Sequence, residues 1–371
     1  MISSDLNILF LSRPSLFTVR GGDTVQVMKT AEALQKMGLN VDVRLCNDMT
    51  IDYSNYDLIH FFNILHPANL LVHIRRSKLP YVLSTIYVDY DKPEARKAIG
   101  LKEKVLNAFT SDGQEYLKAV GKHLLNGEKI LSSDYLWKGH RRSVKQVLSN
   151  ASWLLPNSKN EYGRLVDSYN VEKSYSIVPN GADINMFNCN DTDIKRQENM
   201  VLCVARFEVL KNQLNLIRAL NDSKYELYLI GDSGPNHRRY FDACKKAASS
   251  NVHFIPSISQ ESLVAYYRQA KVHVLPSWFE TTGLASLEAL FCGCNIVVTK
   301  YGDTLDYFDP LHCEYCDPAS EESILDAVEA AANKESDLEY IENIKREYNW
   351  EKAADQTWKV YQQVMKTTNS K

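Results

Sequence analysis

Two trains of short apolar runs fill this chain, each run tied to a segment with helical spacing, and one polar stretch separates the trains. The first train holds NILFLS (7–12), LNVDVRLC (39–46), DLIHFF (57–62) and YVLSTIYV (81–88); the second holds NMVLCVARF (199–207), YELYLIGD (225–232), KVHVLPS (271–277) and NIVVTK (295–300). Apolar runs of this length, bounded by Gly, Pro and polar residues, read as buried parallel strands. Between them lie helices. TVQVMKTAEALQKMG carries Val25, Met28, Ala31 and Leu34 at three-residue spacing and stops at Gly38. Ser259 caps SQESLVAYYRQA, Gly293 closes ASLEALFCG, and Ser158 with Glu161 has capping-box spacing before a further helix. Strand and helix in alternation predict doubly wound α/β domains. A length of 371 residues suits two of them. Residues 188–199, NCNDTDIKRQEN, have no periodicity and are the expected linker. The reading is a domain over 1–187, a second over 188–347, and a closing helix over 348–371 with Trp350, Trp358 and Tyr361 among its bulky residues. Two such domains normally take a ligand in the cleft they share, at the carboxyl ends of the strands.

Composition removes several classes. Hydrophobic residues at 44% and charged residues at 24% are a globular balance, and a formal charge of −3 argues against a nucleic-acid partner. The apolar run near the N-terminus, Ile8 to Leu11, is too short for a signal peptide, and nothing elsewhere reaches the length of a spanning helix, so the expected location is cytoplasmic. Eight scattered cysteines suit reduced thiols rather than a disulfide framework. His312 with Cys313 and Cys316 falls short of four spaced zinc ligands, so no metal site is expected. The total charge hides an asymmetry. Residues 92–145 hold twelve Lys and Arg against six Asp and Glu, a local +6 that leaves −9 for the rest. That segment is either a solvated helical face or a surface for anionic lipid or a phosphorylated acceptor, which would place the protein peripherally at the inner membrane face.

The densest chemistry lies in PSWFETTGLASLEALFCG (276–293). A strand ends, Glu280-Thr281-Thr282-Gly283 turns, and a helix begins near Leu284. Backbone N–H groups at such a start are unpaired and suit a phosphate, with Gly283 allowing close approach. Glu288 lies in the first turns, where it can accept ribose hydroxyls; Glu280 precedes the turn, where it can meet a sugar. By themselves, two acids eight residues apart are also ordinary surface groups.

Glu280 and Glu288 match the Glu-x7-Glu motif of retaining glycosyltransferases with the GT-B fold, and PSWFETTGLASLEAL resembles the nucleotide-sugar motif of glycosyltransferase family four. Six further segments agree in order: Gly21–Gly22 after the first strand, NSKNEY, IVPNGAD, VARFEVLKN, LIGDSG, and the Ser259 helix leading into VLPS. The resemblance implies an acceptor-binding Rossmann-like first domain, a nucleotide-sugar-binding second one, and a final helix that crosses back to the first. Arg206 and Lys211 would hold the donor diphosphate, cations that stand in for a metal and stabilise the leaving anion. Thr282, Gly283, Leu284 and Ala285 would meet the phosphates, Glu288 the ribose, Glu280 the donor sugar, and Gly231 of LIGDSG the donor. Gly21 and Gly22 would let the first loop close over the reacting centre. The implied reaction moves a hexose, with retention, from a nucleotide-diphosphate sugar to a hydroxyl of a saccharide or lipid-linked acceptor, in cell-surface polysaccharide or glycolipid assembly, without cofactor.

One departure stands out. Relatives often carry a His after the strand YVLST, where this chain reads Ile86-Tyr87-Val88-Asp89. Tyr87, Asp89 or backbone would take that role, and His60, after DLI, is either a ligand-facing or a structural residue. Rival readings are a nucleotide-sugar epimerase or a phosphorylase of related fold, and a non-catalytic scaffold, against which Arg206, Lys211 and Glu288 all persist. A nicotinamide oxidoreductase would need G-x-G-x-x-G; Gly231-Asp-Ser-Gly234 is the nearest approach.

Overall fold

The computed structural model describes residues 6–88, 112–113, 116, 133–189, 195–234 and 237–369. Asp89 and most of the basic segment 92–145 lie outside them. The described residues divide into two compact units, the first comprising those up to 88, those of 112–180 and 350–369, the second those of 181–349.

The first unit is built on a parallel sheet of β1 (Asn7–Ser12), β2 (Asn40–Leu45), β3 (Leu58–Phe62), β4 (Tyr81–Ser84) and β5 (Trp153–Leu154), in the order β2-β1-β3-β4-β5. Strand alternation sorts its faces. Leu9, Leu11, Ile59, Phe61 and Leu83 pack with Val144, Val147 and Leu148 of the Ser133–Asn150 helix. The intervening residues turn the other way: Phe10, His60 and Phe62 form a ring cluster with Tyr361 of the Trp350–Asn369 helix. That helix therefore belongs to the first unit, and it also packs on the Gly22–Lys36 helix.

The Gly22–Lys36 helix corrects one detail of the sequence reading. Its buried stripe runs Thr24, Val27, Ala31, Leu34, while Met28 is exposed. Steps of three residues alone drift by about 60° each around a helix, so only alternating steps of three and four keep one face inward.

Glu161 also goes beyond its expected cap. The Ser158 hydroxyl does accept the Glu161 N–H at 2.9 Å. The Glu161 carboxylate, buried, accepts the Asn157 N–H at 2.8 Å, the Tyr87 N–H at 2.8 Å and the Thr85 hydroxyl. It thereby clamps the turn after β4, in which Ile86 is held at φ +46°, strained for a β-branched residue. Glu161→Ala strands three buried donors and is expected to cost about 3 kcal/mol, a fall of roughly 6–12 °C in Tm. A melt within about 2 °C of wild type would remove this role for the carboxylate.

The second unit carries six parallel strands: β6 (Gln197–Val204), β7 (Glu226–Ile230), β8 (Val252–Ile255), β9 (Ala270–Leu275), β10 (Asn295–Thr299) and β11 (Glu314–Cys316), ordered β11-β10-β9-β6-β7-β8. Met200, Leu202, Ile296 and Val298 face Leu287, Leu290 and Phe291 of the Leu284–Phe291 helix. Val201, Cys203, Val272, Val274 and Val297 face Leu216, Leu220, Ile324 and Val328 on the other side. This unit begins at Gly181, ahead of the polar stretch at 188–199. Ala182 and Phe187 are the reason: both are buried in the second unit's core. Gly181 crosses the backbone of Asn349 so closely that a Cβ would lie 2.5 Å from its carbonyl carbon.

Candidate functional site

In the second unit the residues expected to meet the donor gather at the carboxyl ends of β6, β7 and β9. After β6 the chain passes Arg206 and makes a 3-10 turn over Val209–Lys211. Asn212 then adopts a left-handed conformation, and its buried amide donates to the carbonyls of Pro276 at 3.1 Å and Pro318 at 2.8 Å. The Trp278 N–H donates to the Leu210 carbonyl at 2.8 Å. These bonds lock the turn after β6 to the loop after β9. Lys211 Nζ thereby meets Glu280 Oε2 at 2.6 Å, across 69 residues of sequence. Ser277 donates to the same oxygen at 3.0 Å. Glu280 is only 6% exposed, and no partner is seen for its Oε1 among the described residues.

Glu280 is placed by backbone as well. Its N–H donates to the Tyr301 carbonyl at 3.1 Å, and its carbonyl accepts from Asp303 at 2.8 Å. Gly302 lies between them at φ +108°, where a Cβ would fall 1.9 Å from the Glu280 oxygen. Gly231, at φ +152°, performs the same service between β6 and β7: a Cβ there would fall 2.1 Å from the Ala205 oxygen.

Gly283 is the N-cap of the Leu284–Phe291 helix, at φ +69°. Its carbonyl takes the N–H groups of Ser286 and Leu287. Those of Gly283, Leu284 and Ala285 remain as the helix's open donors among the described residues. Thr282 is buried beneath them, its hydroxyl 3.4 Å from that of Tyr307. In the second turn, half-buried Glu288 accepts from Tyr267 at 3.1 Å and from Gln260 at 3.4 Å. Burial pushes its carboxyl up to about 7, against these two hydrogen bonds, which lower it. Arg206 takes a separate partner; its guanidinium is half-exposed, 3.4 Å from Glu208.

The first-unit candidates have mixed fates. Gly21 is extended, and the helix starts at Gly22. The loop before them is braced by Arg13, which donates to Asp23 at 2.5 and 2.9 Å and to the Val19 carbonyl at 2.6 Å. His60 is a structural residue. It is 1% exposed, one ring nitrogen lies 2.6 Å from the Tyr361 hydroxyl and the other 2.8 Å from that of Ser84, and burial pushes its pKa down to about 3. Tyr87 also turns inward, buried, with its hydroxyl donating to Ser168 at 3.0 Å.

Sequence reasoning missed Ser277, Gly302, Tyr267 and Gln260. Only Gly302 carried a signal, a glycine just after the strand NIVVTK. Seven of the eight cysteines are buried, and all are unpaired. Among the described residues no cluster of three or more His, Cys, Asp or Glu could hold a metal ion, and no helix is long and apolar enough to cross a membrane.

Residues 187–348 match the protein family described as Glycosyl transferases group 1. That match spans most of the second unit. Sugar transfer is the activity that the family's description names. Along more of its length the chain is 24% identical over 318 residues to a D-inositol 3-phosphate glycosyltransferase of Frankia alni, covering 76% of this chain and 78% of that one. Among solved structures, sucrose-phosphate synthase of Thermosynechococcus elongatus aligns with a TM-score of 0.74 at 18% identity, over 97% of this chain and 100% of that one. Anabaena HepE, solved in complex with UDP and glucose, aligns with a TM-score of 0.71 at 14% identity, over 96% and 99%. Two parallel-sheet, Rossmann-like units are the GT-B class of these neighbours, as the sequence led one to expect.

Proposed function

We propose that the chain is a retaining, metal-independent glycosyltransferase that moves a hexose from a nucleotide-diphosphate sugar to a hydroxyl of a saccharide or lipid-linked acceptor. The carrying observation is the Lys211–Glu280 pair at 2.6 Å, set one turn from the open N–H groups of Gly283, Leu284 and Ala285. The amides and Lys211 receive the diphosphate, with Arg206 as the second cation. Glu280, whose Oε2 holds Lys211, turns Oε1 to a sugar hydroxyl. The anomeric carbon–oxygen bond breaks with its electron pair going to the diphosphate, which these cations stabilise. The acceptor oxygen attacks the same face, and its proton passes to the departing phosphate oxygen. No carboxylate nucleophile is required, in contrast to a retaining hydrolase.

UDP-sugars head the donor candidates, since HepE has been solved with UDP and with UDP-glucose. Peripheral attachment at the inner membrane face, and a place in cell-surface polysaccharide or glycolipid assembly, belong to the same proposal. Their support is the +6 balance of residues 92–145 and the 89% exposure of Trp137 beside exposed Lys138, Arg141 and Arg142. A thermal-shift screen of UDP-, GDP-, ADP- and dTDP-sugars tests the reading. A donor at a hundred times its Kd stabilises the fold by about 2.7 kcal/mol. A folded protein that responds to none of them would refute it.

Glu288 makes donor binding pH-dependent. Ribose hydroxyls donate to the carboxylate, and protonation below about 7 depletes that form. Nucleotide affinity is therefore expected to weaken by up to about tenfold per pH unit below 7, with a proton released on binding near neutrality. Stability runs in the opposite sense. The folded state keeps a proton that the unfolded chain loses above 4.5, so this contribution is complete below 4.5 and is lost as pH rises through about 7. Calorimetry of UDP binding in buffers of different ionisation enthalpy reads the proton; a flat profile between pH 6 and 8 counts against the assignment of Glu288.

A further inference from the structure

Glu288 is gripped from one side by a single helix. Gln260 and Tyr267 are seven residues apart on Gln260–Gln269, two turns along one face, and each donates to a different carboxylate oxygen: Gln260 to Oε1, Tyr267 to Oε2. Tyr267 is fully buried. Its ring stands edge-on to Phe187 at 6.0 Å and to His273 at 5.9 Å. His273, also fully buried, places Nδ1 3.3 Å from the Ser286 hydroxyl, in the first turn of the helix that carries Glu288. The tyrosine hydroxyl thus sits on a rigid base, and that base reaches the turn with the open amides.

A carboxylate that turns freely takes one hydroxyl as readily as two. One donor on each oxygen fixes the plane of the group and leaves each oxygen a lone pair in a set direction. That arrangement suits two hydroxyls on adjacent carbons. We infer that Tyr267, assisted by Gln260, is a positioning residue that holds Glu288 for a vicinal diol, so that the site selects ribonucleoside over 2′-deoxyribonucleoside diphosphates. The inference rests on the proposed ribose role of Glu288. A ligand lacking the 2′-hydroxyl leaves one desolvated carboxylate oxygen without a donor, and sites built around hydrogen bonds reject such analogues strongly.

The test uses the full chain and the diphosphate that binds tightest among UDP, ADP and GDP, together with its 2′-deoxy form. Wild type is expected to prefer the ribose form by roughly 10- to 100-fold. Tyr267→Phe keeps the buried ring and removes only the hydroxyl. It is expected to weaken the ribose form, to leave the deoxy form nearly unchanged, and so to shrink the preference at least about threefold. The pH midpoint of binding moves upward, because a donor that favours the charged carboxylate is gone. Gln260→Ala, at the half-buried start of the helix, repeats the effect in weaker form should the tyrosine variant fold poorly. Equal weakening of both ligands with an unmoved pH midpoint makes Tyr267 merely structural and overturns the inference. If Glu288→Gln abolishes ribose preference while Tyr267→Phe and Gln260→Ala preserve it, this inference fails alone. If Glu288→Gln binds both ligands as wild type does, or wild type binds no nucleotide, the underlying reading of the site fails.

Discussion

Lys211→Ala is expected to lower kcat/KM for sugar transfer by about 10²- to 10³-fold, the usual cost of removing one preorganised group that stabilises developing charge. Two effects add. The leaving diphosphate loses a cation that stands 80% shielded from solvent, where its field is poorly screened. Glu280 loses the partner 2.6 Å away that holds its Oε2, keeping only Ser277, so the carboxylate is free to turn. The second effect separates Lys211 from Arg206. Arg206 pairs at 3.4 Å with Glu208, its side chain half-exposed, and Arg206→Ala should cost less, by about tenfold or under. Steady-state kinetics on both variants, with melting curves to verify folding, give the comparison. A Lys211→Ala enzyme within threefold of wild type would sink the mechanism.

Gly302→Ala should be the most damaging single methyl in the second unit. Its Cβ would sit 1.9 Å from the Glu280 oxygen, 2.8 Å from that carbonyl carbon and 2.9 Å from the Glu280 nitrogen, all backbone atoms with no flexible end to yield. The φ of +108° is itself unfavourable for any residue with a side chain. The bridge between Glu280 and Gly302 must open, which releases the bonds Glu280 makes to Tyr301 and Asp303 and moves the carboxylate off Lys211. The expected cost is about 4 kcal/mol, a fall of roughly 8–16 °C in Tm, with transfer lost alongside. Circular dichroism melts and nucleotide titration check it. A variant that melts like wild type and binds nucleotide normally shows that the loop absorbs the clash.

The two acids at 280 and 288 were legible because a turn and the helix behind it set their separation, and backbone geometry within one turn is local. The same holds for the glycine stops at Gly38 and Gly293, both at φ +89°, and for the Ser158 and Ser259 caps, whose hydroxyls accept N–H groups three residues on. His60 shows where local reading ends. Its place after an apolar run suits a ligand-facing role and a core role equally. Tyr361, 301 residues away, decides for the core by bringing a hydroxyl within 2.6 Å. The turn at Ile86-Tyr87 behaves alike: nothing near Tyr87 in sequence shows that Glu161 takes its N–H or that Ser168 takes its hydroxyl.

From its sequence alone this chain determines its elements, the two α/β series, and the residue types that can meet a nucleotide sugar, because propensity, capping and alternation act over a few residues. Only the tertiary structure decides which of those residues meet. Sheet order sets β6 beside β9 and so carries Lys211 to Glu280; Phe187 moves the start of the second unit to Gly181; and the backbone contact at Gly302 makes an unremarked glycine indispensable. The physical reason is range. Contacts across 69 or 301 residues arise from how strands cross over and pack, and no pattern within a single turn encodes them.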